Sequence, residues 1–182
     1  MVQRNNNKIL LHACCGVCSG YPISFLQEAG YEVAVYFCNP NLDTEAEFNK
    51  RLEAQKTVCE KFNAELIVDE YNHSEYSDCI KGFENEPERG KRCDKCFELR
   101  LKKTAELSKK MNISEFTSSL AISPHKDFAK ISSIGKAVAN EFSLNYLPIN
   151  FRKNDGVLKT NTISKDLGIY RQNYCGCEYS KR

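Results

Sequence analysis

Ile9-Leu10-Leu11-His12-Ala13-Cys14-Cys15-Gly16 is the stretch that decides the fold. Its apolar run is short and ends at two cysteines and a glycine, as a buried parallel strand does before it turns. Ile23, Phe25 and Leu26 follow at helical spacing, so the unit is strand, turn, helix. Residues 33–38 repeat the strand signal, stop at Asn39-Pro40-Asn41, and give way to an amphipathic stretch carrying Phe48, Leu52, Val58, Cys59 and Phe62. Residues 65–68 read as a third strand. Residues 71–90 are the least regular, with a short helix at 76–83 and a charged loop at 84–90; long loops in compact domains are often functional. The remaining pattern predicts a helix at 94–111, a strand at 115–119, a helix at 124–142, a strand at 146–149 and a last helix at 159–167. Strands alternating with helices imply an α/β three-layer sandwich with a mostly parallel, Rossmann-like sheet and a cysteine-rich C-terminal tail. Such sheets bind ligands beyond the carboxyl ends of their strands, where Cys14, Cys38 and Ser118-Ser119 are expected.

A chain of 182 residues suits one domain over 1–182, with the polar residues 1–7 expected to be disordered. Lys and Arg total 26 against 24 Asp and Glu, a net charge of +2, so any nucleic-acid surface must be local. The apolar runs fall far short of the roughly 18–20 residues that cross a bilayer, and no signal segment is evident, so the expectation is a cytoplasmic protein. No phosphate-binding Gly-rich loop follows the first strand, which argues against nucleoside triphosphate or dinucleotide use.

The feature out of scale is cysteine: ten residues, against two Met and no Trp. Strong helix and strand periodicity without an export signal disfavours a secreted disulfide framework, so metal, cluster or redox chemistry is the better reading. Cys38 and Cys59 sit in apolar contexts and read as small buried hydrophobes; Cys79 is ambiguous. The other seven fall into three groups, Cys14-Cys15-Gly16-Val17-Cys18, Cys93-Asp94-Lys95-Cys96 and Cys175-Gly176-Cys177. Cys93 and Cys96 have the spacing that puts two sulfurs on one side of a turn, and the first group adds thiolates at a helix start. Four such ligands suit structural zinc or an iron–sulfur cluster. A domain with a full core needs no metal to fold, and these thiols are expected at the mouth of the sheet, which favours chemistry over structure. The one-residue gap between Cys175 and Cys177 permits only a strained disulfide ring, which points to redox exchange.

Basic residues cluster beside the thiols: Arg89, Lys91, Arg92 and Lys95, then Arg100, Lys102 and Lys103, then Arg152-Lys153, and Arg171, Lys181 and Arg182 around the tail pair. Phosphate binding needs such clustering, although a solvated helix face explains Lys102, Lys103, Lys109 and Lys110 equally well. His12 points from a strand beside the thiols, His73 is isolated, and His125 is expected to open a helix, where polar residues usually cap.

Five blocks carry a family resemblance: Leu11-His12-Ala13-Cys14-Cys15; Gly90-Lys91-Arg92-Cys93-Asp94-Lys95-Cys96-Phe97; Thr117-Ser118-Ser119-Leu120 with Ser123-Pro124-His125-Lys126; Asn150-Phe151-Arg152-Lys153; and Gly168-Ile169-Tyr170-Arg171-Gln172-Asn173-Tyr174-Cys175-Gly176-Cys177. In order and over nearly the whole chain they resemble the epoxyqueuosine reductases of the QueH family. The resemblance implies a HUP-type fold and a cobalamin-independent enzyme that reduces epoxyqueuosine to queuosine at the wobble position of tRNA, with tRNA and an unidentified electron donor as partners. It places the ligands of a 4Fe-4S cluster on Cys14, Cys15, Cys93 and Cys96, and a redox-active disulfide on Cys175 and Cys177. Where this chain has Cys18 some members carry Asp, a region associated with a second, mononuclear iron. That departure leaves three roles for Cys18: ligand of the second metal, replacement of a cluster ligand, or none. As a hypothesis, an acid among Asp94, His125 and Asp127 supplies a proton to the epoxide oxygen. The competing readings are a zinc-stabilised RNA-binding module, which gives the tail thiols no work, and a thiol–disulfide oxidoreductase indifferent to tRNA.

Overall fold

The computed structural model describes residues 7–181. Its strands are β1 (Lys8–Ala13), β2 (Glu32–Phe37), β3 (Glu65–Val68), β4 (Glu115–Ser118) and β5 (Asn145–Tyr146). They form a parallel sheet in the order β3-β2-β1-β4-β5. Its helices are α1 (Gly16–Glu28), α2 (Glu45–Lys61), α3 (His73–Cys79), α4 (Lys91–Lys110), α5 (Phe128–Phe142) and α6 (Gly156–Asp166), with short 3₁₀ turns at Ser119–Ile122 and Glu178–Ser180. The expected α/β class, parallel sheet and helical covering are all present.

The two faces of β1 explain the layers. Ile9, Leu11 and Ala13 pack with Ile23 and Leu26 of α1 and Val58 of α2. Leu10 faces the other way and packs with Leu101 and Ala105 of α4 and Val138 of α5. A strand buried on both faces reads as a continuous apolar run. The chain moves from β1 to one side of the sheet for β2 and β3, and returns to the other side for β4 and β5. The switch point therefore lies between the carboxyl ends of β1 and β4, the crevice where open α/β sheets hold ligands.

Several boundaries differ from the sequence expectation. The helix expected at 124–142 begins at Phe128, because the Asp127 carboxylate accepts from the N–H groups of Ala129 (2.9 Å) and Lys130 (3.2 Å) and so sets the start of α5. Residues 119–122 form a 3₁₀ turn before it, and His125 lies exposed between the two instead of opening a helix. The strand expected at 146–149 shrinks to Asn145–Tyr146, ahead of Pro148, which lacks a ladder donor. The fourth helix starts at Lys91 rather than 94, so Cys93 and Cys96 occupy its first two turns. The last helix starts at Gly156 rather than 159. Of the polar lead-in, residues 1–6 lie outside the described residues, as does Arg182, while the carbonyl of Asn7 accepts from Glu32 N at 2.9 Å. No helix among the described residues is long and apolar enough to cross a membrane.

A thiol-lined candidate active site

Beyond β1 and β4 opens a cavity of about 880 Å³. Six cysteines line it: Cys14 and Cys18 from the first turn, Cys93 and Cys96 from α4, and Cys175 and Cys177 from the tail. Cys15 is buried beside Cys14, their sulfurs 3.8 Å apart. The Sγ atoms of Cys14, Cys15 and Cys18 lie within 4.8 Å of one another, a group able to hold a metal ion. Cys93 and Cys96 share the cavity but not that tight group.

The first turn is placed by backbone and packing. Cys14 N–H donates to Ser119 Oγ (3.1 Å) across the switch point, and Ser119 Oγ lies 3.5 Å from Cys14 Sγ. Gly16 opens α1 against α2, where a Cβ would stand 2.6 Å from Ala54 O; only glycine lets the two helices approach this closely. The neighbouring Ser118 turns inward and its hydroxyl lies 2.9 Å from His12 Nδ1. Ser118 Oγ also accepts from Leu120 N–H, and His12 Nε2 lies 3.0 Å from Cys38 O and 3.3 Å from Arg100 Nε. Burial lowers the His12 pKa to about 3, with Arg100 adding to it, so this histidine is a neutral strut of the core.

Arg100 is a fully buried cation of α4 with no carboxylate partner among the described residues. Its Nη2 donates to Asn39 Oδ1 at 2.6 Å, and Asn39 in turn donates to Ala13 O at 3.0 Å, tying β1 to α4. Burial opposes its charge, yet the balance is upward because the sulfurs of Cys96 and Cys14 face it. Lys126 repeats the theme: it is half-buried, lines the cavity without an ion pair, and is raised against the pull of burial by Cys175, Cys14 and Cys18. Hydrogen bonds from Cys15 and Cys18 hold the Cys14 thiol well below its usual range, with Lys126 and Arg100 contributing. The same sharing pushes Cys15 up to about 12 and Cys18 well above its usual value. Burial raises Cys93, whose sulfur accepts from Arg89 N–H (3.3 Å), and raises Cys96 to about 12. Thiol donors beside two cations that have no carboxylate partner among the described residues suit a bound group of net negative charge with sulfur ligands.

The tail reaches the cavity by side-chain anchors. Arg51 of α2 is buried, pairs with Glu47 at 2.7 Å, and donates to the carbonyls of Cys175 (3.0 Å) and Tyr174 (3.2 Å). Glu47 also accepts from the Tyr170 hydroxyl at 2.9 Å. Asp43 accepts from Tyr174 Oη (2.7 Å), pairs with Lys181, and donates its N–H to Gly176 O (2.9 Å). Gly176 sits at φ +120°, where a Cβ would stand 2.4 Å from Leu42 Cδ2, so only glycine fits here. Cys175 and Cys177 are thiols here, and Cys177 packs against Cys96 and Tyr76. Gln172 Nε2 donates to Cys15 Sγ at 2.8 Å, joining the tail to the first turn.

The other candidates sort plainly. Cys38 and Cys59 are buried, the first donating to Asp69 Oδ2 (3.3 Å) and the second accepting from Gln55 Nε2 (3.3 Å). Cys79 is half-buried and donates to Lys95 O at 3.4 Å. Asp94, His125 and Asp127 all line the cavity, but Asp94 is paired with Lys130 at 3.1 Å and Asp127 is committed to its cap. Of the basic clusters, Arg92 holds the 84–86 loop through the carbonyls of Glu84 and Glu86, and Arg100 is internal. Lys102 and Lys103 are tied to Glu98, Glu141, Asp69 and Glu75, and Arg171 to Asn161 and Ser164. Arg89, Lys126, Lys130 and Lys181 are the basic residues on the cavity wall besides Arg51 and Arg100. Sequence reasoning missed Arg51 and gave no separate role to Lys126 or Gln172. An Arg four residues after a Glu on a polar helix reads as an ordinary surface pair, so nothing in the pattern marks Arg51 as buried.

Comparison with known proteins bears on this arrangement. The family model described as "Epoxyqueuosine reductase QueH" matches residues 9–182. A relative from Haemophilus influenzae, named epoxyqueuosine reductase QueH, is 39% identical over 178 residues, covering 97% of this chain and 73% of the relative. Relatives of the same name from Streptococcus pyogenes and Thermotoga maritima are 36% and 33% identical, covering 96% and 94% of this chain and 70% and 89% of theirs.

Proposed function

The chain belongs to the QueH family of epoxyqueuosine reductases, and from that premise we propose how its residues carry out the reduction. It is an enzyme that converts epoxyqueuosine to queuosine, acting on tRNA. Two C–O bonds break, a C=C bond forms, and the oxygen leaves as water, so each turnover consumes two electrons and two protons. Oxidation of Cys175 and Cys177 from two thiols to a disulfide supplies both, and an external electron donor then restores the dithiol. Within our reading one domain carries the whole activity, in the cytoplasm.

Cys14, Cys15, Cys93 and Cys96 would hold a 4Fe-4S cluster, and Cys18, grouped with Cys14 and Cys15, would hold a second iron. Bound there, these groups would supply one-electron transfer and Lewis acidity. Arg100 and Lys126 offset the charge of the thiolates from within the wall, and Gln172 orients Cys15. His125, exposed at the mouth, delivers a proton to the epoxide oxygen. Arg89, Lys130 and Lys181 face the phosphates of the anticodon loop.

The observation that carries this reading is the meeting of cysteines from three distant chain regions in one cavity, beside Arg100 and Lys126, which have no carboxylate partner among the described residues. A closed zinc module would leave Cys175 and Cys177 without work. The test is anaerobic incubation of iron-loaded protein with epoxyqueuosine-tRNA and a chemical reductant, followed by nucleoside mass analysis. Conversion to queuosine over several turnovers is expected; unchanged epoxyqueuosine contradicts the reading.

A further inference from the structure

Three residues lining the same cavity each carry a buried oxygen with no hydrogen-bond partner: Asn41 Oδ1, Thr160 Oγ1 and Gln172 Oε1. Buried polar atoms in folded proteins are nearly always paired, so three orphans on one cavity call for a ligand. Asn41 is only 1% exposed and Thr160 only 5%. Their neighbours show that partners were within reach of similar residues. Asn39, two positions before Asn41, spends both ends of its amide on Ala13 and Arg100. Thr162, two residues after Thr160, donates to its helix at Leu158 O (3.1 Å), as mid-helix threonines commonly do, whereas Thr160 makes no such bond.

Gln172 fixes the sense of the third group. A cysteine sulfur bound to metal can only accept, so the Gln172 NH₂ must face Cys15, and Oε1 is left as a free acceptor. An amide oxygen lies about 2 Å from its nitrogen partner, which puts any group bound there close to the reacting centre. Two of the orphans are pure acceptors and the third can accept. The two amide oxygens cannot recognise phosphate, which offers only acceptors at neutral pH; they require O–H or N–H donors, from which the Thr160 hydroxyl can accept as well.

We propose that Asn41, Thr160 and Gln172 form a hydroxyl-recognising subsite that binds the polar ring of the substrate by its hydroxyl and ammonium donors and so turns the epoxide toward the thiol-lined centre. This rests on the reading of the chain as an epoxyqueuosine reductase, whose substrate carries a dihydroxylated epoxide ring joined through a secondary amine. The cavity is then divided by chemistry: cationic donors for the tRNA backbone, neutral acceptors for the modified ring.

The test measures binding, without reductant, of the anaerobic iron-loaded protein to two tRNAs that differ only at the wobble base. One carries epoxyqueuosine, the other the aminomethyl-deazaguanine base without the ring. The unaltered protein should prefer the first by at least about tenfold, since sites built to hydrogen-bond hydroxyls reject analogues lacking them. Thr160→Val and Asn41→Leu should each cut that preference by about three- to tenfold, leave affinity for the ringless tRNA unchanged, and Thr160→Ser should restore it. Thermal unfolding checks each variant; if Asn41→Leu does not fold, the Thr160→Val and Thr160→Ser pair decides. An unchanged preference in folded variants, equal weakening toward both tRNAs, or no preference in the unaltered protein overturns the proposal and leaves the oxygens to ordinary water. Failure of the underlying reading shows separately, as absence of turnover by the unaltered protein.

Discussion

Cys14 and Cys15 stand at the end of a strand buried on both faces and locked into ladders with β2 and β4. Cys175 and Cys177 stand on neither strand nor helix, and reach the same cavity because Arg51, Glu47 and Asp43 hold the tail. The first group is placed by hydrophobic burial and backbone hydrogen bonds, which are cooperative and spread over many residues. The second is placed by a handful of polar contacts, each of which one substitution can remove, and by the packing of Cys177 against Cys96 and Tyr76. On the proposed reading the first group is a ligand set, which must stay rigid to keep its metal, and the second a thiol pair that is oxidised and re-reduced.

That contrast is broken most severely at the thiols themselves. Cys14→Ala or Cys96→Ala should abolish the visible absorption of the iron-loaded protein and cut turnover by at least about 10³-fold, read by iron analysis and nucleoside mass. Cys175→Ser with Cys177→Ser should keep the absorption and stop multiple turnover; retained turnover sinks the relay. One step weaker, Arg51→Met should lower stability by about 3–5 kcal/mol in urea unfolding, because it strands the buried Glu47 carboxylate, and should slow turnover about 10²-fold with the absorption intact. Gly176→Ala forces a side chain into a positive-φ position and into Leu42, costing about 1–3 kcal/mol. Its effect should stay local, so that labelling of buried Cys177 speeds up while the global unfolding midpoint moves little.

The smallest effect is that of pH on the tail. Burial alone raises the Asp43 carboxyl, but hydrogen bonds from Lys181 and Tyr174 outweigh it and hold its pKa below the usual value. A depressed carboxylate stabilises the fold above its unfolded pKa, and that contribution is lost as pH falls through the folded value. Reaction of Cys175 with a pyridyl disulfide, which works in acid, should therefore accelerate below about pH 4, and Asp43→Asn should produce a several-fold acceleration already at neutral pH. Equal rates in variant and parent would show that Asp43 does not hold the tail.

The same contrast explains what could be read from the sequence. Residues 9–13 and 33–38 announce buried strands because both faces are apolar, and the thiols at their ends follow from topology. The bounds of β3 coincide with the expected 65–68. The start of α5 was misplaced because Pro124 and His125 are tolerated at a helix start, and only the bonds of Asp127 show where the helix begins. The basic residues misled in part, since charge alone does not tell buried Arg100 from ion-paired Lys102 and Lys103. Arg51 was invisible because its value lies in carbonyls more than a hundred residues away. Long-range polar contacts leave no period in the sequence; hydrophobic faces do.

The central claim is that the tail thiols supply the reducing equivalents. Iron-loaded protein with Cys175 and Cys177 fully reduced, freed of other reductant under anaerobic conditions, should be mixed with excess epoxyqueuosine-tRNA and analysed by mass for both nucleoside and protein. The account predicts one queuosine per protein and the appearance of a Cys175–Cys177 disulfide in equal amount. Queuosine formed while both thiols remain free would contradict it.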